Sequence, residues 1–322
     1  MDLTAKCKQE GSISDSITLS AFGACMSGFF ALKPQTELIT LFKERNPNFS
    51  SHYYIDNDSP GSIFTAAGNA GGCVIICGTG TMAQLITNDG RSISCGGHGH
   101  MYGDEGSAYF IASNAIRHVF RTNDHYVEDN NTILHDTTAV KAAMFTYFSI
   151  TDMDGMLVVM YDEFKKSRVA GFTRKLAELA RSGDNFAQWL FHQAGNQLGS
   201  MARTLAVDML PNNAPSGQRY VDNFAIVCVG SVWNSWDLLA SSFTKAATAP
   251  FHYLPQRVVG EGKSTNGATY TNSDERGSLR SFRLLRLKET SAVGAAWKAA
   301  AQVGINIPID FSAMAEVMYE HK

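Results

Sequence analysis

The sequence predicts an α/β protein built from two lobes. Its 322 residues are more than one hydrophobic core usually organises. Apolar runs of strand length alternate with segments of helical periodicity, and the chain closes with two strand–helix pairs. A dense group of glycines, Gly96–Ser107, separates the strand-rich part from the helix-rich part. We expect the two lobes to meet near residues 67–72.

Strands and helices alternate in the N-terminal part. The first helix is expected to end at Asn46, because Pro47 disfavours a helical conformation in the residue before it. Pro60 suits the first turn of the next helix, where its missing N–H is no loss. The predicted elements are a strand at 17–22, a helix at 35–45, a strand at 53–55 and a helix at 59–67.

A strand meander is predicted next, at 73–77, 83–87 and 92–95. Its last turn, Asn88-Asp89-Gly90, contains the Asp-Gly pair typical of hairpins. Apolar periodicity then indicates helices, the longest of which places Trp189, Leu198 and Met201 on one face. The remaining elements are helices at 104–120, 137–148, 154–164, 173–182 and 185–209, a strand at 224–229, a helix at 233–247, a loop at 257–277, a strand at 282–287 and a helix at 291–301.

The composition is typical of a soluble globular protein and excludes several classes. A net charge of −3 without a basic cluster argues against nucleic acid as the main partner. We find neither the apolar core of a signal peptide near Met1 nor a run long enough to cross a membrane. The six scattered cysteines form no C-x-x-C pair, so we expect reduced, mostly buried thiols in the cytoplasm.

The glycine-rich segment Gly96–Ser107 predicts a small-molecule site. Glycines allow backbone N–H groups to approach an anion or a sugar without intervening side chains. His98, His100, Asp104 and Glu105 lie within or beside these glycines, but their spacing fits no compact zinc pattern. We therefore expect the histidines to bond to loop carbonyls and no metal to be held by this segment.

Asp58 follows a predicted strand at the start of a helix. A carboxylate at this edge of an α/β sheet can take a proton from a substrate hydroxyl. The same position suits an aspartate that merely caps the helix, and the local pattern alone favours the cap. Gly78-Thr79-Gly80-Thr81 presents a similar choice between an anion-binding turn and an ordinary glycine-containing hairpin turn.

Two further segments could bind phosphate. Val227–Trp233 is predicted as a strand, a glycine turn and a helix, which suits a nucleotide but also occurs in routine connections. Residues 260–265 superficially match a P-loop. That motif is rejected because Arg257 replaces its first glycine and Asn266-Gly267 follows instead of a helix.

Taken in order, these segments resemble the N-acetylglucosamine kinases, in the BadF/BadG-like branch of the actin–hexokinase–Hsp70 ATPase superfamily. The resemblance extends over nearly the whole chain from about Ser16. Two runs are specific enough to make chance a poor explanation: Gly103-Asp104-Glu105-Gly106-Ser107-Ala108-Tyr109 and Gly230 to Trp236. It also includes the Asp58 turn, the Gly-Thr-Gly loop, Cys95-Gly96-Gly97, Arg168-Val169-Ala170-Gly171-Phe172 and Cys228-Val229.

The resemblance implies two lobes of ribonuclease-H-like topology that close over ATP, its Mg²⁺ and an amino sugar. By position, Asp58 looks like the base that activates the sugar 6-hydroxyl, which reverses the preference for a cap. Metal is expected to arrive with ATP, and a homodimer is implied. The positions carried over are Thr79 for phosphate, Thr81, Gly97, His98, Gly99 and Asp104 for the sugar, and Ala170, Ser231 and Ser235 for the nucleotide.

Three departures from the family stand out. Residues 1–16 contain a single glycine, Gly11, where the family has a glycine-rich phosphate turn between two strands. Met82 replaces an asparagine and cannot bond a sugar comparably, and His98 replaces a tryptophan. Since one lost oxyanion donor costs about two to three orders of magnitude in rate, we expect weak or absent turnover.

The predicted organisation is therefore a remnant of an N-terminal lobe (1–69), a C-terminal lobe (70–303) and a tail (304–322) that returns to the N-terminal lobe. With the N-terminal lobe incomplete, the strand at 17–22 would have an unpaired edge. A non-catalytic sugar- and nucleotide-binding or scaffold protein is the alternative function. An activase-type ATPase is less favoured, since it would need clustered cysteines for an iron–sulfur centre.

Overall fold

A computed structural model of the chain describes residues 18–27, 35–87, 91–126, 135–209, 220–250 and 278–322. These residues group into two compact units. The first unit runs to Gly71 and includes Leu287–Glu316, and the second contains Gly72–Arg286 and Val317–Lys322. Residues 287–303, expected in the C-terminal lobe, group with the first unit, as does the expected tail as far as Glu316, whereas the last six residues group with the second unit.

The first unit is built on two parallel strands, β1 (Phe22–Cys25) and β2 (Tyr53–Asp56). Helices α1 (Gln35–Arg45) and α2 (Asp58–Ala67) follow these strands in the chain, and the helix predicted at 35–45 is confirmed. The strand predicted at 17–22 is wrong in its position. The position of β1 is set by pairing with β2, because Phe22–Cys25 lie opposite Tyr53–Asp56. The ring of Phe22 also packs against the ring of Phe42.

Helix α10 (Ser291–Gln302) completes the first unit, packing against α2 and β1. Its backbone comes unusually close to α2. The N–H of Gly294 donates to Oγ1 of Thr65 at 2.9 Å, and a Cβ atom at Gly294 would overlap the Gly61 carbonyl and the Thr65 nitrogen. Glycine is needed at this helix position for the close approach rather than for its conformational freedom.

The second unit contains a six-stranded sheet. Its strands are β3 (Gly72–Cys77), β4 (Thr81–Ile86), β5 (Ser92–Gly96), β7 (Phe224–Val229), β9 (Phe282–Leu287) and β10 (Ala315–His321), in the order β10-β9-β7-β3-β4-β5. β7 pairs in parallel with β3 and β9, whereas β4 pairs antiparallel with β3 and β5, as the meander predicts. The segment 304–322, expected to be a tail, contains the strand β10. A separate pair joins β6 (Tyr220–Val221) to β8 (Ser278–Leu279).

The helices of the second unit broadly follow the predictions. They are α3 (Ala108–Asn123), α4 (Thr138–Phe148), α5 (Gly155–Leu157), α6 (Lys166–Gly171), α7 (Thr173–Arg181), α8 (Asn185–Val207) and α9 (Trp236–Thr248). Three differences are local. The helix predicted at 154–164 is α5 followed by a π-helical turn, α6 was not predicted, and a 3₁₀ turn, Ser231–Ser235, precedes α9.

One face of the sheet carries the core of the second unit. Cys73, Ile75 and Cys77 point from β3 into this core and are fully buried, and α8 packs across β3, β4 and β5. The five cysteines of the described residues form no disulfide with one another, and burial raises the pKa of the Cys77 thiol to about 12. Within the described ranges, no helix combines the length and apolarity needed to cross a membrane.

Several predicted features lie outside the described residues. These are the N-terminal segment 1–16, the Asn88-Asp89-Gly90 turn, the loop at 257–277 and the rejected P-loop-like run at 260–265.

Gly294→Ala tests the close approach of α10. Alanine is favoured over glycine in a helix by about 1 kcal/mol, but overpacking a tight contact costs about 1–3 kcal/mol. Because the Cβ atom would meet backbone atoms, we expect the free energy of unfolding to fall. Ala296→Gly, at an exposed position of the same helix, is the matched control and should lose about 1 kcal/mol through propensity alone. Denaturant unfolding measures both, and a more stable Gly294→Ala protein would contradict the packing.

Candidate active site

In the first unit, acidic residues collect where β1 and β2 end. Parallel pairing places Cys25 opposite Asp56, so both strands end at the same edge. Both oxygens of Asp56 are used within the protein: Oδ2 accepts from the Tyr54 hydroxyl and Oδ1 from the Asn57 N–H, each at 2.8 Å. Asp56 therefore stabilises the turn into α2.

Asp58 does not cap α2. Asn57 is the cap, because its side-chain oxygen accepts from the Ser59 N–H at 3.0 Å, and Asp58 is the first helical residue. The preference for a cap drawn from the local pattern is thus corrected. Asp58 is partly buried, and this burial raises the pKa of its carboxyl despite opposing hydrogen bonds from Ser27, Ser59 and its own backbone. A carboxylate with increased proton affinity and no capping task is suited to general base catalysis.

In the second unit, the loop Gly78–Gly80 joins β3 to β4. The Gly78 N–H donates to the Gly80 carbonyl at 2.9 Å, and the Gly78 carbonyl accepts from Ala108 at the start of α3. Among the described residues, the N–H groups of Thr79 and Gly80 have no protein acceptor, and the Thr79 side chain is exposed. A Cβ atom at Gly78 would meet nothing within 4 Å. The loop therefore offers two donors beside open space, as an anion site requires.

Asp104 fixes one side of this loop. Its Oδ1 accepts from the buried Thr81 N–H at 3.0 Å, and a Cβ atom at Gly80 would lie 2.7 Å from the same oxygen. The residue is 3% exposed and adopts a left-handed conformation with a φ of +64°. Such a φ is rare outside glycine and is incompatible with a helix, so α3 begins at Ala108, capped by Ser107, instead of at Asp104.

The turn after β7 lies directly beside the Gly78 loop. Ile76 of β3 pairs with Val229 of β7, so the two parallel strands end side by side. Gly230 has a φ of +106°, and a Cβ atom there would overlap the Cys77 carbonyl and lie 3.0 Å from the Gly78 nitrogen. Only glycine allows this contact. Trp233 anchors the following 3₁₀ turn by donating from Nε1 to the Ile75 carbonyl at 3.1 Å.

The positions expected to hold the nucleotide belong to segments connected to these turns. Ser231 is exposed at the start of the 3₁₀ turn, and Ser235 is buried at its end. Ala170 is buried on α6, a helix that packs against α3. The guanidinium of Arg181, at the end of α7, pairs with Asp237 of α9 at 2.8 Å. This ion pair joins the helix that follows α6 to the helix that follows the 3₁₀ turn. Thr79 and Ser231 thus follow the adjacent ends of β3 and β7, and Ser235 lies at the far end of the 3₁₀ turn.

The glycine-rich loop that follows β5 folds back on itself. Gly97 and Gly99 have φ values of +79° and +76°, and Gly99 accepts from Gly103 at 2.8 Å. Gly97 and His98 are exposed, whereas the Met82 side chain lies below Gly97, 3.2 Å from the position of a Cβ atom there. Met82 consequently has a packing role. Thr81 also belongs here, because its carbonyl accepts from the Gly97 N–H at 3.0 Å.

The histidine prediction needs correction. In the described residues, neither His98 nor His100 bonds to a loop carbonyl. His100 packs instead against the rings of Tyr109 and Phe164, with ring centroids 4.8 and 5.2 Å away, because an aromatic environment was available that the sequence did not reveal. No group of three or more His, Cys, Asp or Glu side chains converges as a metal site in the described ranges.

Lys166 was missed by sequence reasoning. Its Nζ lies 2.6 Å from Oδ2 of Asp104, an oxygen to which no described donor is aligned as a hydrogen bond. The motif pattern contains no signal for this pair, since 62 positions separate the two residues and α6 itself was not predicted. The second unit therefore brings together Thr79, Thr81, Gly97, Asp104 and Ser231, with Lys166 added, whereas Asp58 belongs to the first unit.

The sequence profile of the BadF/BadG/BcrA/BcrD ATPase family matches residues 36–250, about two thirds of the chain. The chain belongs to this family. The match includes Asp58, the Gly78 loop, Asp104 and the Gly230 turn, so the edges described above lie in the segment that defines the family.

Curated relatives and solved structures agree with this membership. The chain is 27% identical over 166 residues to the N-acetyl-D-glucosamine kinase of Dictyostelium discoideum, covering 49% of this chain and 50% of that protein. It is 23% identical over 155 residues to the N-acetylmuramic acid/N-acetylglucosamine kinase of Clostridium acetobutylicum, covering 48% of each. The chain thus spans about half the length of these curated relatives.

The fold is also found in a crystal structure of a candidate N-acetylglucosamine kinase from Chromobacterium violaceum. That structure has a TM-score of 0.58 and 17% identity, with 90% of this chain and 79% of that chain covered. At this identity the likeness shows the fold alone. The resemblance to the actin/hexokinase-type fold expected from the sequence is confirmed.

Asp58→Asn tests the electrostatics of the first unit. The pKa of Asp58 is raised on folding, so the native state binds more protons and stability from this group is lost as pH rises through the folded pKa. The asparagine variant has no carboxyl group at this position, so it does not lose this stability as the pH rises. We expect its melting temperature to exceed that of the wild type at pH 7, with a smaller difference at pH 4.

Asp56→Asn is the matched control. It should be less stable than the wild type at pH 7, because asparagine cannot accept from both Tyr54 and Asn57 as the carboxylate does. If Asp58→Asn were also destabilised at pH 7, the desolvated carboxylate would not be the strained group that the structure indicates.

Proposed function

We propose that this protein transfers the γ-phosphoryl group of ATP to the 6-hydroxyl of N-acetylglucosamine or a closely related amino sugar. The observation that carries the proposal is the edge of the second unit where the Gly78 loop and the Gly230 turn meet. The N–H groups of Thr79 and Gly80, which have no acceptor among the residues that the structure describes, lie at the end of parallel strands and suit a triphosphate. The amino-sugar kinases among the relatives support the choice of acceptor.

Each residue has a role in this proposal. Thr79 and the neighbouring Gly80 N–H would bind phosphate oxygens, while Ala170, Ser231 and Ser235 would hold the nucleotide. Thr81, Gly97, His98, Gly99 and Asp104 would hold the sugar. Asp58 would accept the proton of the 6-hydroxyl, for which its raised pKa is favourable.

Positioning and charge neutralisation account for most of the catalysis in phosphoryl transfer. The loop donors fit an anion, since the N–H groups of Thr79 and Gly80 have no acceptor in the described residues. Mg²⁺ bound to the phosphates would neutralise their developing charge. We also propose that the protein acts in the cytoplasm as a homodimer, as the family resemblance implies.

Asp58→Asn should separate catalysis from binding. Removing a general base typically lowers the rate by about 10²–10⁴-fold, so we expect kcat to fall by that factor with little change in the KM for ATP. An ADP-coupled assay with N-acetylglucosamine measures both. Asp124→Asn, at an exposed aspartate after α3, is the control and should leave both constants unchanged.

Two results would count against the kinase proposal. Undiminished kcat in Asp58→Asn would remove the assigned base. Joint stabilisation of the wild type by ATP and N-acetylglucosamine, measured by thermal shift without ADP formation, would instead support the alternative of a non-catalytic binding protein.

Asp104→Ala tests the sugar side. Both carboxylate oxygens already contact the protein, yet each can accept a second hydrogen bond from a sugar hydroxyl. We expect isothermal titration with N-acetylglucosamine to show about tenfold or greater weakening, as the loss of a charge-assisted hydrogen bond predicts. Equal heats for variant and wild type would remove Asp104 from the sugar site.

A further inference from the structure

Lys166 is a charged residue of the second unit to which the proposed function assigns no role, although it contacts one of the proposed site residues. It is the first residue of α6, and its ammonium lies 2.6 Å from Oδ2 of Asp104. The two side chains differ sharply in exposure, at 31% for Lys166 and 4% for Asp104. A nearly buried carboxylate is thus paired with a cation that reaches it from solvent.

The other oxygen of Asp104, Oδ1, holds the Gly78–Gly80 loop, which is the phosphate loop of the proposed function. Oδ1 accepts from Thr81 N–H, one residue after the Gly78–Gly80 loop, while the left-handed backbone of Asp104 aims the carboxylate at it. The same side chain therefore connects the start of α6 to the end of the loop. A change at one end of this connection reaches the other through a single rigid carboxylate.

In the described part of the chain, Lys166 is the cation that pairs with Asp104, and a buried carboxylate that loses its paired cation is strongly destabilised. Rotation toward solvent would relieve it, but the Thr81 N–H would then be left without its acceptor. The loop would no longer be held in the geometry that leaves the Thr79 and Gly80 N–H groups available.

We propose that Lys166 is a positioning residue for the phosphate loop: through Asp104 it holds Thr81 and thereby aims the Thr79 and Gly80 N–H groups at the nucleotide phosphates. The part of this inference that concerns the nucleotide rests on the proposed function. The part that concerns Asp104 and Thr81 stands on the geometry alone. Lys166 need not touch either substrate.

Lys166→Met, Lys166→Arg and the control Lys165→Met form the test set. Methionine keeps the length of the stem without the charge, and arginine keeps the charge. Lys165 is the adjacent, exposed lysine and makes no ion pair among the described residues. Asp104→Asn, alone and combined with Lys166→Met, completes a double-mutant cycle.

The first readout is amide hydrogen exchange of the peptide that contains Thr79 to Thr81, measured by mass spectrometry without ligand. In Lys166→Met we expect exchange to be about tenfold or more faster, as for the loss of a local hydrogen bond, with near-wild-type exchange in Lys166→Arg and Lys165→Met. Unchanged exchange in Lys166→Met would overturn the inference, whatever the protein binds.

The second readout is the affinity for Mg²⁺–ADP, measured by isothermal titration. We expect Lys166→Met to bind about tenfold more weakly and the double variant to bind no more weakly than Asp104→Asn, because residues acting in one network are not additive. Additive losses would show that Lys166 acts independently of Asp104 and would refute the proposed route. A wild-type protein that binds no nucleotide would refute the proposed function, while the exchange experiment would still decide whether Lys166 holds the loop.

Discussion

The hydrogen bond from the Thr81 N–H to the Asp104 carboxylate is the interaction on which the second unit's site depends. It joins two segments 23 positions apart, the end of the Gly78–Gly80 loop and the end of the glycine-rich loop. To make this hydrogen bond, Asp104 adopts a backbone conformation with a positive φ. Such a conformation costs free energy and persists only where the surrounding structure enforces it. The ion pair with Lys166 holds the other oxygen of this carboxylate, and the absence of a side chain at Gly80 leaves room for it beside the loop.

Close backbone approach is the second constraint, and glycine provides it in both units. Gly230 allows the ends of β3 and β7 to meet, which brings two candidate phosphate-binding turns together. Gly294 allows α10 to lie against α2 in the first unit. At Gly294 the glycine is required by a neighbouring carbonyl rather than by the local backbone conformation, whereas at Gly230 the carbonyl contact and the φ of +106° both require it. At either position, any side chain would have to move backbone.

The first unit shows how neighbouring acids can differ in their task. Asp56 has both oxygens bound by Tyr54 and Asn57. Asp58 is partly buried, and this burial raises its pKa even though hydrogen bonds from its own backbone, Ser27 and Ser59 oppose the shift. Asn57 makes this possible by capping α2 itself. A group that costs stability in the folded state and contributes little to packing is expected at a functional position. Membership of the BadF/BadG/BcrA/BcrD ATPase family and the amino-sugar kinases among the relatives support the role that we propose for Asp58.

The sequence by itself determined the α/β class, the helix at 35–45, the meander, the buried strand at 224–229 and the strand at 282–287, because local periodicity and turn residues carry that information. It also singled out Asp58, the Gly78 loop and Asp104 as candidates. Tertiary structure decided what local pattern cannot encode. The register of β1 comes from pairing with β2, the strand β10 from pairing with β9, and the place of α10 from contact with α2. The Lys166–Asp104 pair and the release of Asp58 from capping were likewise settled by folding, since both depend on which groups approach and compete in space.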